Sequence, residues 1–310
     1  MIKKTILRCA TILACLVIGQ VQADEPVIKV STELAKKNEW VTQNLLTEKS
    51  GLPFSFIYDG KPSAELLPTW ERKLAEVKLD ANRTEHILTW TDAKTGLEVR
   101  CRAVEYNDFP VVEWTVYFKN IGQENTLILS DIQGLNVSFH RESKESFVLR
   151  TIRGDDYTAA SYQSIIIPLG DGAQQRLTSA GGRPTDQGFP YFNVEWDSQG
   201  VIAVLGWPGQ WVARFVGDRQ QNLRIVGGQE LTKMKLLPGE VVRAPLVLLM
   251  FYNGSDVARS QNLWRRFYMA HNIPRINGKP PAPMAQMQLD PTCQGGEEEQ
   301  WRETKKYAEA

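Results

Sequence analysis

Polar and apolar residues alternate along much of the chain up to residue 250, and this alternation predicts β-strands. Residues 96–104 place Cys101 and three other apolar side chains on one face and charged side chains on the other. Residues 111–119 repeat the pattern around Trp114. Turn-forming residues occupy positions 106–110, so the two segments are predicted to form a hairpin of half-buried strands.

The same alternation recurs at short, regular intervals without intervening helical periodicity. Further predicted strands lie at residues 127–132, 135–139, 164–168, 201–205, 211–216, 223–226 and 246–252. The turn Leu236–Glu240 precedes the last of them. Strands in such a series form antiparallel sheets that pack face to face or close into a barrel. The sequence therefore predicts a mostly β fold, a large antiparallel β-sandwich, and argues against a parallel α/β domain in this region.

The periodicity changes after residue 253. Ser255 or Asp256 is a suitable helix cap, and Pro274 ends the helical pattern that follows. Four residues at helical spacing share one face of this predicted helix, namely Val257, Trp264, Tyr268 and His271. Residues 274–283 are rich in proline and glycine and predict a linker. The sequence therefore predicts that the sandwich ends near residue 273.

Residues 284–289 predict one strand, and the acidic residues from Glu297 onward predict the start of a helix. A single β/α unit cannot bury its own faces, because a parallel strand needs neighbours. We therefore expect a β/α domain of which only the opening lies in this chain. A β-domain with a docked C-terminal helix is the alternative.

The N-terminal residues have the pattern of an export signal. Positive charges at Lys3, Lys4 and Arg8 accompany an apolar stretch that runs to Ile18, and small residues near Ala23 suit a signal peptidase. Residues 1–23 are therefore predicted to be a signal peptide, and the protein to be periplasmic or extracellular. A buried N-terminal helix is one alternative, and a lipoprotein modified at Cys15 is another. No other segment is long and apolar enough to predict a transmembrane helix.

Composition narrows the classes of partner. Lys and Arg total 36, as do Asp and Glu, so nothing in the charge predicts binding to nucleic acid. Removal of the leader leaves Cys101 and Cys293, which do not make a disulfide framework. Nine tryptophans suit sugar stacking, but large cores also use tryptophan, so composition does not decide between the two.

The chain carries no familiar catalytic signature. It lacks an H-E-x-x-H helix, a G-x-S-x-G elbow and a phosphate-binding glycine loop. His86, His140 and His271 have no Cys or carboxylate neighbours at metal-ligand spacing, so no metal or cofactor is predicted. Asp155 and Asp156 are adjacent, and neighbours in an extended segment point to opposite faces, so we interpret them as a solvated turn.

Residues 179–192 form a glycine-rich, then polar, then aromatic segment, and residues 206–211 form a tight aromatic turn. Arg and Asp side chains hydrogen-bond hydroxyl groups, and aromatic rings offer flat faces to a sugar. Loops of this composition on a rigid sandwich suit a polyol ligand. A long ordered connection between sheets, without a ligand, is the alternative interpretation.

Four segments occur in one order: Gly182–Gln187, Phe189–Phe192, Gly206–Trp211 and Leu237–Glu240. An apolar strand and a helix that carries Arg266 and His271 follow them. This order resembles the N-terminal supersandwich domain of family 36 glycoside hydrolases, the α-galactosidase group of clan D. Residues 53–60 and 67–70 also resemble the start of secreted bacterial members.

The resemblance implies a three-part retaining enzyme with a supersandwich, a (β/α)8 barrel and a C-terminal β-domain. Residues 24–273 would be the supersandwich, 274–283 the linker and 284–310 the first strand and helix of a truncated barrel. The family's two catalytic aspartates lie on later barrel strands, so no catalytic residue is expected in this chain. The loop that resembles the family's pocket wall supplies three expected ligand-proximal residues, Arg183, Asp186 and Gln187. Trp207 and Trp211 are expected to pack beneath this loop, and Asp290 ends a barrel strand, where ligand groups cluster.

Three hypotheses follow from the sequence. The chain is the N-terminal, non-catalytic part of an α-galactosidase-like hydrolase, inactive alone; or a stand-alone exported carbohydrate-binding module; or an exported domain without a ligand. In the first two, the partner is an α-galactoside-type carbohydrate. A homo-oligomer of the full-length parent is left open.

Overall fold

A computed structural model describes residues 30–47 and 51–281, together with the helical residues Glu298, Trp301, Arg302 and Lys305. The predicted leader, the predicted strand at 284–289 and Asp290 lie outside the described residues. The chain divides into two compact units, Met1–Ser255 and Asp256–Ala310. Within the described part of the chain, no helix combines the length and the apolar character that crossing a bilayer requires.

The first unit is built mainly from short antiparallel strands. In chain order they are β1 (Ser55–Tyr58), β2 (Lys61–Pro62), β3 (Glu71–Lys78), β4 (Arg83–Asp92), β5 (Leu97–Tyr106), β6 (Val111–Asn120), β7 (Leu129–Gln133), β8 (Leu135–His140), β9 (Phe147–Ile152), β10 (Ser164–Leu169), β11 (Gln174–Thr178), β12 (Tyr191–Trp196), β13 (Gln199–Gly206), β14 (Trp211–Gly217), β15 (Asn222–Gln229), β16 (Lys233–Met234), β17 (Val241–Arg243) and β18 (Leu246–Asn253). The first unit also contains helix α1 (Ser31–Val41), which continues as a π-helical turn (Thr42–Leu46), and the short helix α2 (Ser63–Leu66), which continues as a 3-10 turn (Leu67–Thr69).

The strands form one large and two small antiparallel sheets. The large sheet has ten strands in the order β10-β9-β12-β13-β18-β6-β5-β4-β3, and β17 pairs with β6 off this path. One small sheet has the order β11-β14-β15-β8, and the other has the order β16-β7-β1-β2. The mostly β fold with large antiparallel sheets confirms the sequence prediction, including the β5–β6 hairpin, in which Cys101 pairs with Val116.

One hydrophobic core joins all three sheets. Phe192 of the large sheet packs edge-on against Trp211 and Phe215 of β14, with ring centroids 5.6 and 5.3 Å apart. Phe118 of the large sheet packs in the same way against Phe56 of β1, at 5.1 Å. Burial of each such ring contributes about 1.5–3 kcal/mol. Both small sheets therefore pack on the large one, which is the arrangement of a β-sandwich.

Helix α1 was not predicted from the sequence. Its buried side chains are Glu33, Lys37 and Val41, so two of the three residues on its inner face are charged. A pattern that seeks apolar residues every three to four positions finds no signal in such a helix. The helix is held instead by Lys37, whose Nζ lies 2.6 Å from Oε1 of Glu105 in β5.

The second unit contains helix α3 (Val257–Phe267), which continues as a π-helical turn (Tyr268–Asn272). The predicted cap is confirmed, because Asp256 accepts a hydrogen bond from the backbone N–H of Ala258 at 2.9 Å. The buried residues of α3 are Ser260, Leu263 and Phe267. These residues lie next to the helix face that the sequence pattern predicted to share one side. Tyr268, on the predicted face, is 46 % exposed.

Candidate functional site

Two loops of the first unit meet at their backbones. The first loop, residues 153–163, joins β9 to β10, and the second loop, residues 179–190, joins β11 to β12. Asp155 and Asp186 form an isolated parallel bridge. The N–H of Asp155 donates to the carbonyl of Thr185 at 2.7 Å, and the N–H of Gln187 donates to the carbonyl of Asp155 at 3.1 Å. These two loops, named the loop pair below, therefore form one ordered surface feature.

Glycine allows the two loops to approach this closely. A Cβ at Gly154 would lie 2.2 Å from the carbonyl oxygen of Thr185 and 2.4 Å from the nitrogen of Gly188, both backbone atoms. Gly181 has φ +58°, and a Cβ there would lie 2.3 Å from Oδ2 of Asp186. Residues with a side chain rarely adopt this conformation, so the glycines of the segment have a structural role.

Arg183 connects the two loops through its side chain. Its Nη1 donates to the hydroxyl of Tyr157 at 2.6 Å, and its guanidinium lies 5.0 Å from the centre of the Tyr157 ring. Its Nη2 lies 3.4 Å from Oδ2 of Asp186. The Tyr157 residue is 79 % exposed and the Arg183 side chain 47 % exposed, so the ring and the guanidinium both face solvent. A guanidinium has five N–H groups, and donors remain for a ligand after these contacts.

Asp155 and Asp156 lie in a polar turn, as predicted, but their side chains do not point to opposite faces, because Oδ1 of each lies within hydrogen-bond distance of the Ser161 hydroxyl, at 3.1 and 3.0 Å. Oδ1 of Asp156 accepts from the hydroxyl of Thr158 at 2.7 Å and from that of Ser161 at 3.0 Å, and Oδ2 pairs with Arg153 at 2.5 Å. The hydrogen bond from Thr158 is the main cause that lowers the pKa of Asp156 to about 2, and Ser161 and Arg153 add to it. Asp156 is therefore a charged structural group above that pH.

Trp211 supports the second loop from below. Its side chain is fully buried, and its Nε1 donates to the carbonyl of Pro184 at 2.7 Å. The neighbouring Gln210 side chain donates to the carbonyl of Ser179, in the same loop. Gln210 and Trp211, at the start of β14, therefore hydrogen-bond to two different positions of the second loop. These bonds hold the backbone of the loop in place without any ligand.

The predicted site residues fall into three groups. Arg183 and Asp186 lie together, and Trp211 lies beneath them. Gln187 is exposed at φ +57°, and its backbone takes part in the bridge to Asp155. Trp207 lies in the adjoining turn, where the Arg243 guanidinium lies 5.4 Å from its ring centre.

Tyr157 belongs to the site but was not predicted from the sequence. The residue follows the aspartate pair in a segment that gave only a turn signal. Its contact with Arg183 spans 26 residues and depends on how the two loops meet. The available signal was an aromatic residue within an otherwise polar turn, and it is a weak one.

The loop pair presents donors, acceptors and an aromatic face, and its Arg183 and Asp186 side chains already pair with each other. Arg183 offers donors, Asp186 offers acceptors and Tyr157 offers an aromatic face, which together suit a polyol ring. Among the described residues, no group of three or more His, Cys, Asp or Glu side chains could hold a metal ion.

No family model matches the chain. No curated protein matches it either. Solved structures do match. The α-galactosidase from Lactobacillus brevis is 15 % identical, with a TM-score of 0.56, and the match covers 73 % of this chain and 32 % of that one. A GH36 α-galactosidase AgaA variant from Geobacillus stearothermophilus in complex with stachyose is 17 % identical, with a TM-score of 0.53, over 71 % of this chain and 32 % of that one. An AgaA variant in complex with 1-deoxygalactonojirimycin is 17 % identical, with a TM-score of 0.53, over 72 % and 33 %.

These likenesses show the fold. The chain has the fold of a part of GH36 α-galactosidases, as the order of its loop segments led us to expect. It spans about a third of the length of these structural neighbours.

Proposed function

We propose that this chain is the N-terminal, non-catalytic part of an α-galactosidase-like retaining glycoside hydrolase, and that the loop pair forms one wall of its sugar pocket. The observation that carries the proposal is the shared fold with α-galactosidases, including one whose structure holds stachyose. The second loop supplies the residues that resemble the family's pocket loop.

The contacts of the loop pair support a role in binding sugars. Arg183 and Asp186 are prepositioned by their own ion pair and by the hydroxyl of Tyr157, so a ligand would order few side chains on binding. Guanidinium and carboxylate groups together match the donor and acceptor character of vicinal hydroxyls. The exposed ring of Tyr157 adds an apolar face beside them.

The state of the carboxylates supports a non-catalytic role. A retaining glycosidase needs one carboxyl group whose pKa is raised so that it can donate a proton, about 5–5.5 Å from a carboxylate nucleophile. In the loop pair, the pKa of Asp156 is lowered to about 2, and Asp186 is paired with Arg183. Asp156 is therefore unsuited to the role of general acid at neutral pH, and we assign the loop pair to substrate contact.

Hydrolysis of p-nitrophenyl α-D-galactopyranoside tests the non-catalytic assignment. We expect no turnover by this chain above the rate of a heat-denatured control. A rate that disappears when a single aspartate is replaced by asparagine would contradict the assignment. Because contaminating hydrolase could mimic activity, the substituted protein is purified in parallel as the matched control.

A stand-alone carbohydrate-binding module is the second candidate function. It is favoured because the two loops of the loop pair are held together by contacts within the first unit alone. Both candidates predict weak, saturable binding of raffinose by this chain, whereas a domain without a ligand predicts none. The sequence of the intact locus separates the two candidates. A coding sequence for a (β/α)8 barrel in the same reading frame supports the hydrolase, and its absence supports the module.

We also propose that the protein is exported, on the strength of the predicted signal peptide in residues 1–23. Expression in a Gram-negative host followed by N-terminal sequencing of the periplasmic fraction tests this. A mature protein that begins at Asp24 is the expected result, and retention of Met1 in the cytoplasm would contradict it.

A further inference from the structure

A cavity of about 230 Å³ lies in the first unit, away from the loop pair. Helix α1 and its π-helical turn form one side, and residues from β8, β12, β13 and β18 form the other. Trp196, which lines the cavity, ends β12, whereas the second loop leads into the start of that strand at Tyr191. Five steps along a strand separate the two ends by about 16 Å, so this is a second location.

Aromatic rings form much of the cavity wall, and other rings hold them in place. Trp40 stacks on Trp114 at 5.6 Å and lies 5.9 Å from Phe251. Trp196 lies 5.1 Å from Phe139 across the wall of the cavity. Rings that are fixed before binding lose little conformational entropy when a ligand packs against them. Such rings suit the apolar C–H faces of a sugar.

The polar groups at the cavity offer both donors and acceptors. Lys36 Nζ donates to Oε1 of Gln199 at 2.8 Å and to Oδ1 of Asn253 at 2.5 Å. An ammonium group has three N–H donors, so one remains. Glu39 accepts from Nε2 of Gln43 at 2.9 Å, and its carboxylate has further acceptor positions. One positive and one negative charge balance, which favours a neutral ligand over an ion.

Trp196 adds an unusual feature. Its Nε1 is shielded from solvent and has no hydrogen-bond partner among the described residues. A buried donor without a partner costs stability, and such groups in native proteins call for an explanation. A ligand hydroxyl that this N–H reaches after a small rotation of the indole would remove the cost.

We propose that this cavity binds a single neutral pyranose ring, independently of the loop pair. The ring packs between Trp40 and Trp196, and its hydroxyls bond Lys36 and Glu39. The volume lies below the range of about 300–1,000 Å³ that is typical of drug-sized ligands, so one sugar ring fits better than an oligosaccharide. The proposal rests on the cavity itself and stands whether or not the chain is part of a hydrolase.

Nuclear magnetic resonance of the full chain, uniformly labelled with ¹⁵N, tests the proposal through the indole N–H signals. The Trp196 signal is assigned by its loss in Trp196→Phe. We expect it to shift saturably on titration with methyl α-D-galactopyranoside or methyl α-D-glucopyranoside, with a millimolar Kd. The Trp211 indole, which bonds a backbone carbonyl in the loop pair, reports separately on that site.

Three variants make the test specific. Glu39→Ala removes an exposed acceptor and should weaken binding at the Trp196 reporter about fivefold or more. Asn38→Ala, on the exposed face of the same helix and outside the cavity, is the matched control and should leave the Kd unchanged. Arg183→Ala should also leave it unchanged, which separates this site from the proposed pocket wall.

Several results would overturn the proposal. One is a Trp196 signal that does not shift with either sugar at concentrations far above millimolar. Another is a shift that Arg183→Ala abolishes, because the signal would then report on the loop pair. A third is saturable binding of tetramethylammonium but of neither sugar, since aromatic cages also bind quaternary ammonium ions.

Discussion

Glu105→Gln is expected to destabilise the sandwich strongly, because it leaves a buried ammonium group without its negative partner. The Lys37 side chain is 1 % exposed, and its Nζ lies 2.6 Å from Oε1 of Glu105. The other carboxylate oxygen, Oε2, lies 3.0 Å from Nε2 of His86. Glutamine keeps the shape of the side chain and one acceptor, so the substitution tests the charge itself.

The magnitude follows from the geometry. At 2.6 Å and an effective dielectric constant of about 20, the gross attraction is about 6 kcal/mol, and desolvation of both charges offsets much of it. Removal of one partner from a buried pair typically costs about 3–5 kcal/mol. For a chain of this size, 1 kcal/mol corresponds to about 2–4 °C in Tm, so Tm should fall by at least about 6 °C.

The pH dependence has a defined sign. Burial alone would raise the pKa of Glu105, but hydrogen bonds from His86 and Lys37 outweigh it, and the pKa lies below its ordinary value of 4.5. The stability that Glu105 contributes is therefore fully present above about pH 4.5 and is lost as the pH falls through the lowered pKa. The difference in unfolding free energy between the native protein and Glu105→Gln should shrink across that window.

Urea unfolding followed by tryptophan fluorescence measures this loss, with calorimetry for Tm. The double variant Lys37→Met/Glu105→Gln removes both charges and should recover most of the stability, since a buried pair is often no better than apolar replacements. A loss below about 1 kcal/mol in Glu105→Gln, or no recovery in the double variant, would refute the reasoning. Because Lys37 anchors α1, the single variant should also weaken sugar binding at the cavity that α1 lines.

Three further predictions concern single sites. Trp211→Phe removes the hydrogen bond that supports the second loop and should lower the free energy of unfolding in urea by about 1–2 kcal/mol, and an unchanged midpoint would contradict this. Gly154→Ala forces a Cβ to within 2.2 Å of the Thr185 carbonyl oxygen and should lower the free energy of unfolding by more than about 3 kcal/mol. Gly51→Ala is the control, because the space around Gly51 is open, and it should change the free energy of unfolding by less than about 1 kcal/mol in the same assay. Burial raises the pKa of the Cys101 thiol, so iodoacetamide should leave Cys101 unmodified in the native state and alkylate it in urea, as peptide mass spectrometry would show. Alkylation of Cys101 itself in the native protein would contradict its burial.

The sheets were predictable where one face of a strand is apolar and the other polar. β5 and β6 meet this condition, because burial of Cys101 and Trp114 requires that one face be apolar. Helix α1 does not meet it, since Glu33 and Lys37 occupy its inner face and Lys37 is stabilised by Glu105 of β5.

The candidate site was predictable in part, for a similar reason. Arg183 and Asp186 lie three residues apart in one loop, so the sequence alone brings them together. Tyr157 comes from the other loop, and its place beside Arg183 depends on the backbone bridge between Asp155 and Asp186. No local pattern encodes such a bridge.

Calorimetric titration of raffinose into the native chain, Arg183→Ala and the matched control Arg219→Ala tests the sugar-binding role of the loop pair most directly. Arg219 is exposed in the turn between β14 and β15, so Arg219→Ala removes one positive surface charge, as Arg183→Ala does. We expect saturable heat with a millimolar Kd for the native chain and for Arg219→Ala, and binding about tenfold weaker or more for Arg183→Ala. The absence of heat from the native chain at millimolar raffinose, or equal affinity in all three proteins, would contradict the account.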